Sequence, residues 1–308
     1  MEPDGSEGPA VRGHGRGQAR DHARGIVLMM LAWSLFPVMD AVSKYISDDY
    51  HVLQIVWARF LFQALATLVL LLALGRRRAL RTNALRLQIL RSGGFLAHTL
   101  LFITAIVFIP LAEGIALLFI GPMVVVALSA LLLRESVGMA RWLTVLTGFA
   151  GAMLIIRPGL GVLHWAASLV LLSALCFALY QVWTRGLHAV DSPLTTLAYT
   201  PLVGLLALSP VVPFFWAWPS AGDWALMALM GAVGALSHFI LIKAFEAAEA
   251  SLLAPFAYVQ IVSAVLLGFV VFGDLPDRWT LTGAAVIIVA NLVLIRMDRR
   301  GAAPVETP

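Results

Sequence analysis

Long apolar runs alternate with short polar breaks from residue 25 almost to the end of the chain. Ten runs can be drawn: Gly25 to Ile46, Val52 to Leu74, Gln88 to Ile109, Leu111 to Leu133, Trp142 to Ile156, Trp165 to Leu187, Leu194 to Trp216, Trp224 to Phe245, Ala250 to Phe272 and Trp279 to Ile295. A helix rising about 1.5 Å per residue needs roughly 20 residues to cross the hydrocarbon core of a bilayer. The runs lack the period-two polar pattern of barrel strands, so they predict transmembrane helices, and the short breaks predict antiparallel neighbours. The fold class expected is an all-α membrane protein of ten transmembrane helices.

The second half of the pattern repeats the first. Ala112-Glu113, an apolar run with Pro122, Arg134-Glu135, Arg141-Trp142, Gly148 and Arg157 are answered by Ala248-Glu249, a run with Pro255, Gly273-Asp274, Arg278-Trp279, Gly283 and Arg296, at offsets of 133 to 139 residues. Duplicated hydrophobic halves are characteristic of secondary transporters, whose solute sits near the midplane between the repeats. Five spans per half is an odd number, so the second copy enters the membrane from the opposite side and the repeat is inverted. The expected organisation is a disordered basic cytoplasmic tail at 1–24, repeats at 25–158 and 161–297, and a short cytoplasmic tail at 298–308.

Composition supports this and narrows it. The chain is 61% hydrophobic and 12% charged, against about 45–50% and 25% in soluble domains. The net charge of +4 then reports topology and no nucleic-acid partner. With the amino terminus inside, 17 of the 21 Lys and Arg fall on the cytoplasmic side, including Arg76, Arg77, Arg78, Arg81, Arg86 and Arg91. The expected location is the bacterial inner membrane with both termini cytoplasmic. The first run has no small-residue cleavage site behind it and is expected to be a retained span. Gly13, Gly15 and Gly17 lack the strand and helix that a phosphate loop requires. The single cysteine, Cys176, can form neither an internal disulfide nor a metal cage.

Polar groups inside spans are the candidates for function, because a charge there costs about 2.5–3.5 kcal/mol on insertion scales and generally faces a cavity. Trp33, Pro37, Asp40 and Lys44 form one stripe on the first span, which Pro37 is expected to bend. That stripe is either cavity lining or an Asp40–Lys44 pair at the outer interface. Arg59 has no acidic residue one turn away, so Asp40 or Glu113 must supply its partner from another helix, as a structural pair or as part of a substrate site. Tyr180, Gln181, Tyr258 and Gln260 are further substrate contacts. His98 and His238, in the third span of each half, are candidates for proton coupling, against a hydrogen-bonded packing role that the lack of a metal-like partner at i+3 or i+4 favours. Pro122 and Pro255 make the fourth span of each half a candidate bending element. Gly148, Gly151, Gly231 and Gly234 fit close helix packing better than chemistry. No set of residues has metal-ligand spacing, and no cofactor motif is present.

These features together resemble the drug/metabolite transporter superfamily and, within it, the paired EamA-type repeat, over about residues 25 to 297. Asp40-Ala41-Val42-Ser43-Lys44-Tyr45, Arg59-Phe60, Ile89-Leu90-Arg91, Lys243-Ala244-Phe245 and Ala254-Pro255-Phe256 through Tyr258 are similar to the branch that includes S-adenosylmethionine uptake carriers. Asp274 stands where the family usually has Glu. The resemblance implies ten helices, a central cavity formed by spans one to four and six to nine, and a small organic metabolite as cargo, carried by a monomer or homodimer in the lipid bilayer.

A zwitterion with a ring or apolar portion, such as an amino acid or S-adenosylmethionine, suits a cavity carrying Asp40 and Arg59 among Trp33, Phe36, Trp57, Phe102, Tyr180 and Tyr258. Proton coupling and solute exchange are both open. The competing readings are a membrane scaffold, and an embedded enzyme, for which HExxH, GxSxG and paired carboxylates are all missing.

Overall fold

A computed structural model of the chain describes residues 10–132, 138–156, 165–187 and 190–301. Among these residues the chain is helical throughout, in twelve helices with short 3-10 turns: α1 Ala10–Tyr45, α2 Val52–Ala73, α3 Leu85–Phe108, α4 Leu111–Leu118, α5 Gly121–Leu132, α6 Met139–Ile156, α7 Trp165–Leu187, α8 Pro193–Leu208, α9 Ala221–Ala247, α10 Ala250–Leu253, α11 Val259–Phe272 and α12 Arg278–Gly301. Seven helices are long and apolar enough to cross a membrane, and three shorter apolar helices accompany them, Leu111–Ala127, Trp142–Ile156 and Pro193–Leu208. The protein is an integral membrane protein. Arg134, Glu135, Arg157 and the extreme ends lie outside the described residues.

The helix boundaries follow local chemistry. The Ser220 side chain accepts from the Asp223 amide while Asp223 caps the Ser220 amide, a capping box that starts α9. Ser192 caps α8 with Pro193 in its first turn. Gly273, at φ +74°, ends α11 in the left-handed region that other residues rarely adopt. The first helix departs from expectation by running back through residues 10–24. Once a helix is nucleated by the apolar run, each added residue gains one backbone hydrogen bond.

Two single spans drawn from the pattern are each interrupted. The fourth is α4 and α5, and the ninth is α10, a 3-10 turn over Ala254–Tyr258, and α11. Proline explains both: Pro122 has no amide for the Leu118 carbonyl and instead sits in the first turn of α5, and Pro255 opens the 3-10 turn. The carbonyl of Phe119, freed at the first break, accepts from Asn291 Nδ2 of α12 at 2.9 Å.

The two halves interlock. Helix α1 packs on α9, and α3 on α7, so each pair joins a first span of one half to a third span of the other, while α6 packs on α12. Large apolar side chains such as Val69, Leu206 and Val270 stay exposed on the outside, as a surface in contact with lipid tails requires.

Candidate functional site

Residues 33, 36 and 40 lie on one face of α1, and that face meets α2, α3 and α9. Asp40 is buried and pairs with Arg59 of α2, Oδ1 to Nη1 at 3.3 Å, with both side chains 6% exposed. The predicted acidic partner is therefore Asp40. Glu113 accepts instead from Thr280 Oγ1 at 3.2 Å. Lys44 does not pair with Asp40: it donates to the Ile109 carbonyl at 2.7 Å and lies 3.9 Å from Asp274. Arg59 is buried too deeply for such a pair to be a surface ornament, and the pairing is incomplete. Its Nε has no hydrogen-bond partner, and neither has the indole Nε1 of Trp33.

Around this pair runs a chain of rings. Phe36 lies 5.2 Å from Trp33 and meets His238 edge-on at 4.9 Å. Phe95 of α3 continues it to His238 at 6.0 Å, His98 at 5.6 Å and Tyr180 at 5.0 Å. Phe102 stacks near His98 at 6.1 Å, and Phe177 lies 5.6 Å from Tyr180. Five helices thus bring together Trp33, Asp40, Arg59, His98, His238 and Tyr180. Both imidazoles are held through Nδ1: His98 by Ser173 Oγ at 2.8 Å and its carbonyl at 3.2 Å, His238 by the Gly234 carbonyl at 2.8 Å. Pro37 is buried within α1, and the neighbouring Ser34 carbonyl accepts from Ser263 of α11 at 2.8 Å.

The other predicted residues stand apart. Trp57 donates to Ser209 at 3.0 Å and, with Val212, Pro213 and Trp216, lines an open depression near the end of α8. Tyr258 packs on Phe119 at 5.0 Å beside the break between α4 and α5, and Gln260 is buried at the start of α11. Gln181 is half-buried beside Tyr180.

Arg91, one of the basic residues assigned to the cytoplasmic side, is not solvated. It is 2% exposed and belongs to the buried network. It donates to Thr184 at 2.7 Å, Thr200 at 3.0 Å and the Tyr180 hydroxyl at 2.7 Å, with its guanidinium carbon 4.4 Å from the Tyr180 ring centre. Its position inside the third drawn span was the available signal. The network continues through Gln88, whose Nε2 donates to Asp191 at 2.8 Å, and Asp191 also accepts from Thr82 and from the Asn83 amide at 3.1 Å.

Burial works to raise the Asp191 carboxyl, but the bonds from Thr82, Gln88 and Asn83 outweigh it and hold the group below its ordinary range. A folded pKa below the unfolded one gives stability that is complete above about pH 4 and lost as pH falls through the folded value. Asp191→Asn is expected to lower the melting temperature of detergent-purified protein by roughly a few degrees at pH 7. The gap should close below about pH 4; a gap of constant size would assign the effect to shape and not to charge.

Comparison with known proteins agrees with this architecture. The EamA-like transporter family matches residues 23–157 and again 164–296. The chain is 32% identical to a riboflavin transporter of Vibrio cholerae over 90% of its own length and 94% of that protein's. It is 25% identical to an S-adenosylmethionine uptake transporter of Rickettsia prowazekii, over 91% and 95% of the two chains, and 28% identical to a pseudopaline exporter of Pseudomonas aeruginosa, over 89% and 97%. A crystal structure with 18% identity superposes with a TM-score of 0.64 over 92% of this chain and 99% of the other, which shows a shared fold.

Proposed function

The chain belongs to the EamA-like transporter family of the drug/metabolite transporter superfamily, and from that premise we propose that it is a secondary carrier moving a small, ring-bearing zwitterion by alternating access. The observation that carries the reading is the Asp40–Arg59 pair, buried, joined by one long bond, and set among rings with donors still free on Arg59 and Trp33. A solute carboxylate takes up the free edge of the Arg59 fork, while Asp40 or a ring face receives the cationic group. The rings accept a planar portion, a feature that S-adenosylmethionine and riboflavin share.

In this reading the three shorter helices complete ten crossings, the halves are inverted, and both termini lie on the cytoplasmic side of the inner membrane. Energy comes from proton coupling through His98 or His238, or from exchange of one solute for another.

The test is counterflow into liposomes holding the purified protein, with amino acids, S-adenosylmethionine and riboflavin as solutes. Saturable uptake of a ring-bearing zwitterion, competed by its relatives, is the expected result. Absence of flux for the whole panel would count against transport of this class, and uptake of riboflavin alone would remove the zwitterion. A pH gradient across the same liposomes separates proton coupling, where it drives accumulation, from exchange, where it does not.

A further inference from the structure

One face of α2 carries three buried side chains that each hold an unpartnered polar atom: Arg59 Nε, Gln63 Oε1 and Thr67 Oγ1. They are 5%, 1% and 1% exposed. Their spacing, four residues and then four more, places them on successive turns about 6 Å apart along the helix. A buried donor or acceptor left without a partner loses its bonds to water and gains none, and an apolar side chain of the same shape would carry no such cost. Three in register on one helix is a large standing penalty for a purely structural surface.

At its middle, Gln63, the stripe is closed over by α9. A β-carbon built at Gly231 would lie 2.6 Å from the Gln63 amide nitrogen and 2.7 Å from the Phe62 carbonyl carbon, and one at Gly234 would lie 3.4 Å from Gln63 Oε1 and 3.0 Å from Met39 Sδ. Gly231 lets the α9 backbone lie directly on α2, and Gly234 leaves room for the side chains of Met39 and Gln63. One turn beyond Thr67 the stripe ends at Leu71, which is fully buried with Ala79 and Ala198. Leu71 lies toward the connection at 76–81, the basic end of the molecule.

We propose that the Arg59–Gln63–Thr67 face of α2 is a wall of the solute path, leading from the Asp40–Arg59 pair toward the basic end, and that α2 and α9 part along the Gly231–Gly234 seam to open it. The structure is the closed form of that seam. The unmade bonds are made to solute or water when the seam opens, which lowers the cost of opening relative to an apolar seam. The neutral amide and hydroxyl of Gln63 and Thr67 suit the uncharged hydrogen-bonding part of the solute, after Arg59 has released its charged end. This inference rests on the transport reading, and the first of its two tests does not depend on knowing the solute.

Cys176 is the only cysteine, so a Cys176→Ala background allows single cysteines to be placed at will. Gln63→Cys, Thr67→Cys and, on the exposed side of the same helix, Val69→Cys are treated in inside-out vesicles with a charged, membrane-impermeant thiol reagent. Modification at 63 and 67 with protection at 69 is expected, since Val69 faces lipid and the reagent does not enter it. Equal protection at all three positions would overturn the proposal.

A second measurement uses Thr67→Val, which keeps the shape and removes the hydroxyl. It is expected to leave the melting temperature unchanged or raise it, while lowering counterflow of whichever of S-adenosylmethionine, riboflavin or an amino acid the wild type takes up about threefold or more. Wild-type flux without a difference in Thr67→Val would overturn the wall; failure of all wild-type flux would overturn the transport reading, and the accessibility result would still decide whether the seam opens.

Discussion

Replacing Arg59 by lysine is expected to reduce flux of the carried zwitterion by about tenfold or more, with folded protein still recovered. Lysine keeps one positive charge beside Asp40, so the carboxylate is not left alone in the interior. It loses the planar fork, whose two parallel donors hold a carboxylate in a fixed orientation. A tenfold loss corresponds to about 1.4 kcal/mol, within the range of one charge-assisted bond. Alanine is the less informative change: it strands a buried carboxylate, a cost of about 3–5 kcal/mol, and loss of fold would mask loss of binding.

The measurement is counterflow together with solute-induced thermal stabilisation of the wild-type and Arg59→Lys proteins. Equal stabilisation of both by S-adenosylmethionine or an amino acid would take Arg59 out of the site. The 3.3 Å pair with Asp40 would then be structural only.

What was legible in the sequence was whatever membrane burial dictates locally. Run length gave the helices, the offset between Arg141-Trp142 and Arg278-Trp279 gave two copies, and the absence of an acidic neighbour within a turn of Arg59 pointed to a partner on another helix. The sequence leaves the pairing open between Asp40 and Glu113, because which helix faces which is a tertiary fact. The same limit hid Arg91. Counting basic residues treats each as a solvated signal, whereas α3 turns this one onto Tyr180, Thr184 and Thr200. Lys44 shows the converse: four residues from Asp40 on one helix, it bonds instead the Ile109 carbonyl at the end of α3.

The prolines were legible as breaks, but the break positions were not, since a missing amide is felt four residues earlier, at Leu118 for Pro122. Gln63 and Thr67 are polar positions inside the second drawn span, but the stripe they form is not marked as such by hydropathy. It is visible only as atoms that lack partners once α9 is in place.

The largest expected effect on folding lies away from the site, where α6 crosses α12. A β-carbon at Gly283 would stand 2.5 Å from the Gly151 carbonyl oxygen and 2.6 Å from Ile155 Cγ1, and one at Gly151 would stand 2.9 Å from the Gly283 carbonyl oxygen. The obstacle is backbone on both sides, so the helices must separate to admit even a methyl group. Close approach of this kind is the use membrane helices make of glycine, because packing replaces the hydrophobic drive that lipid removes. Gly283→Ala is expected to cost about 1–3 kcal/mol as overpacking, more than the roughly 1 kcal/mol that alanine gains in helix propensity. Gly283→Leu should yield no monodisperse protein in detergent.

Gly148 supplies the control. Its built β-carbon comes closer still, 2.2 Å from Met123 Sδ, but the obstacle is the end of a flexible side chain. Methionine swings aside where a carbonyl cannot, so Gly148→Ala should be near neutral despite the shorter distance. Melting temperatures of the two alanine variants decide it: Gly148→Ala should lie within a degree or two of wild type and Gly283→Ala several degrees below. The reverse order would show that distance alone, and not the stiffness of what is met, sets the cost at these crossings.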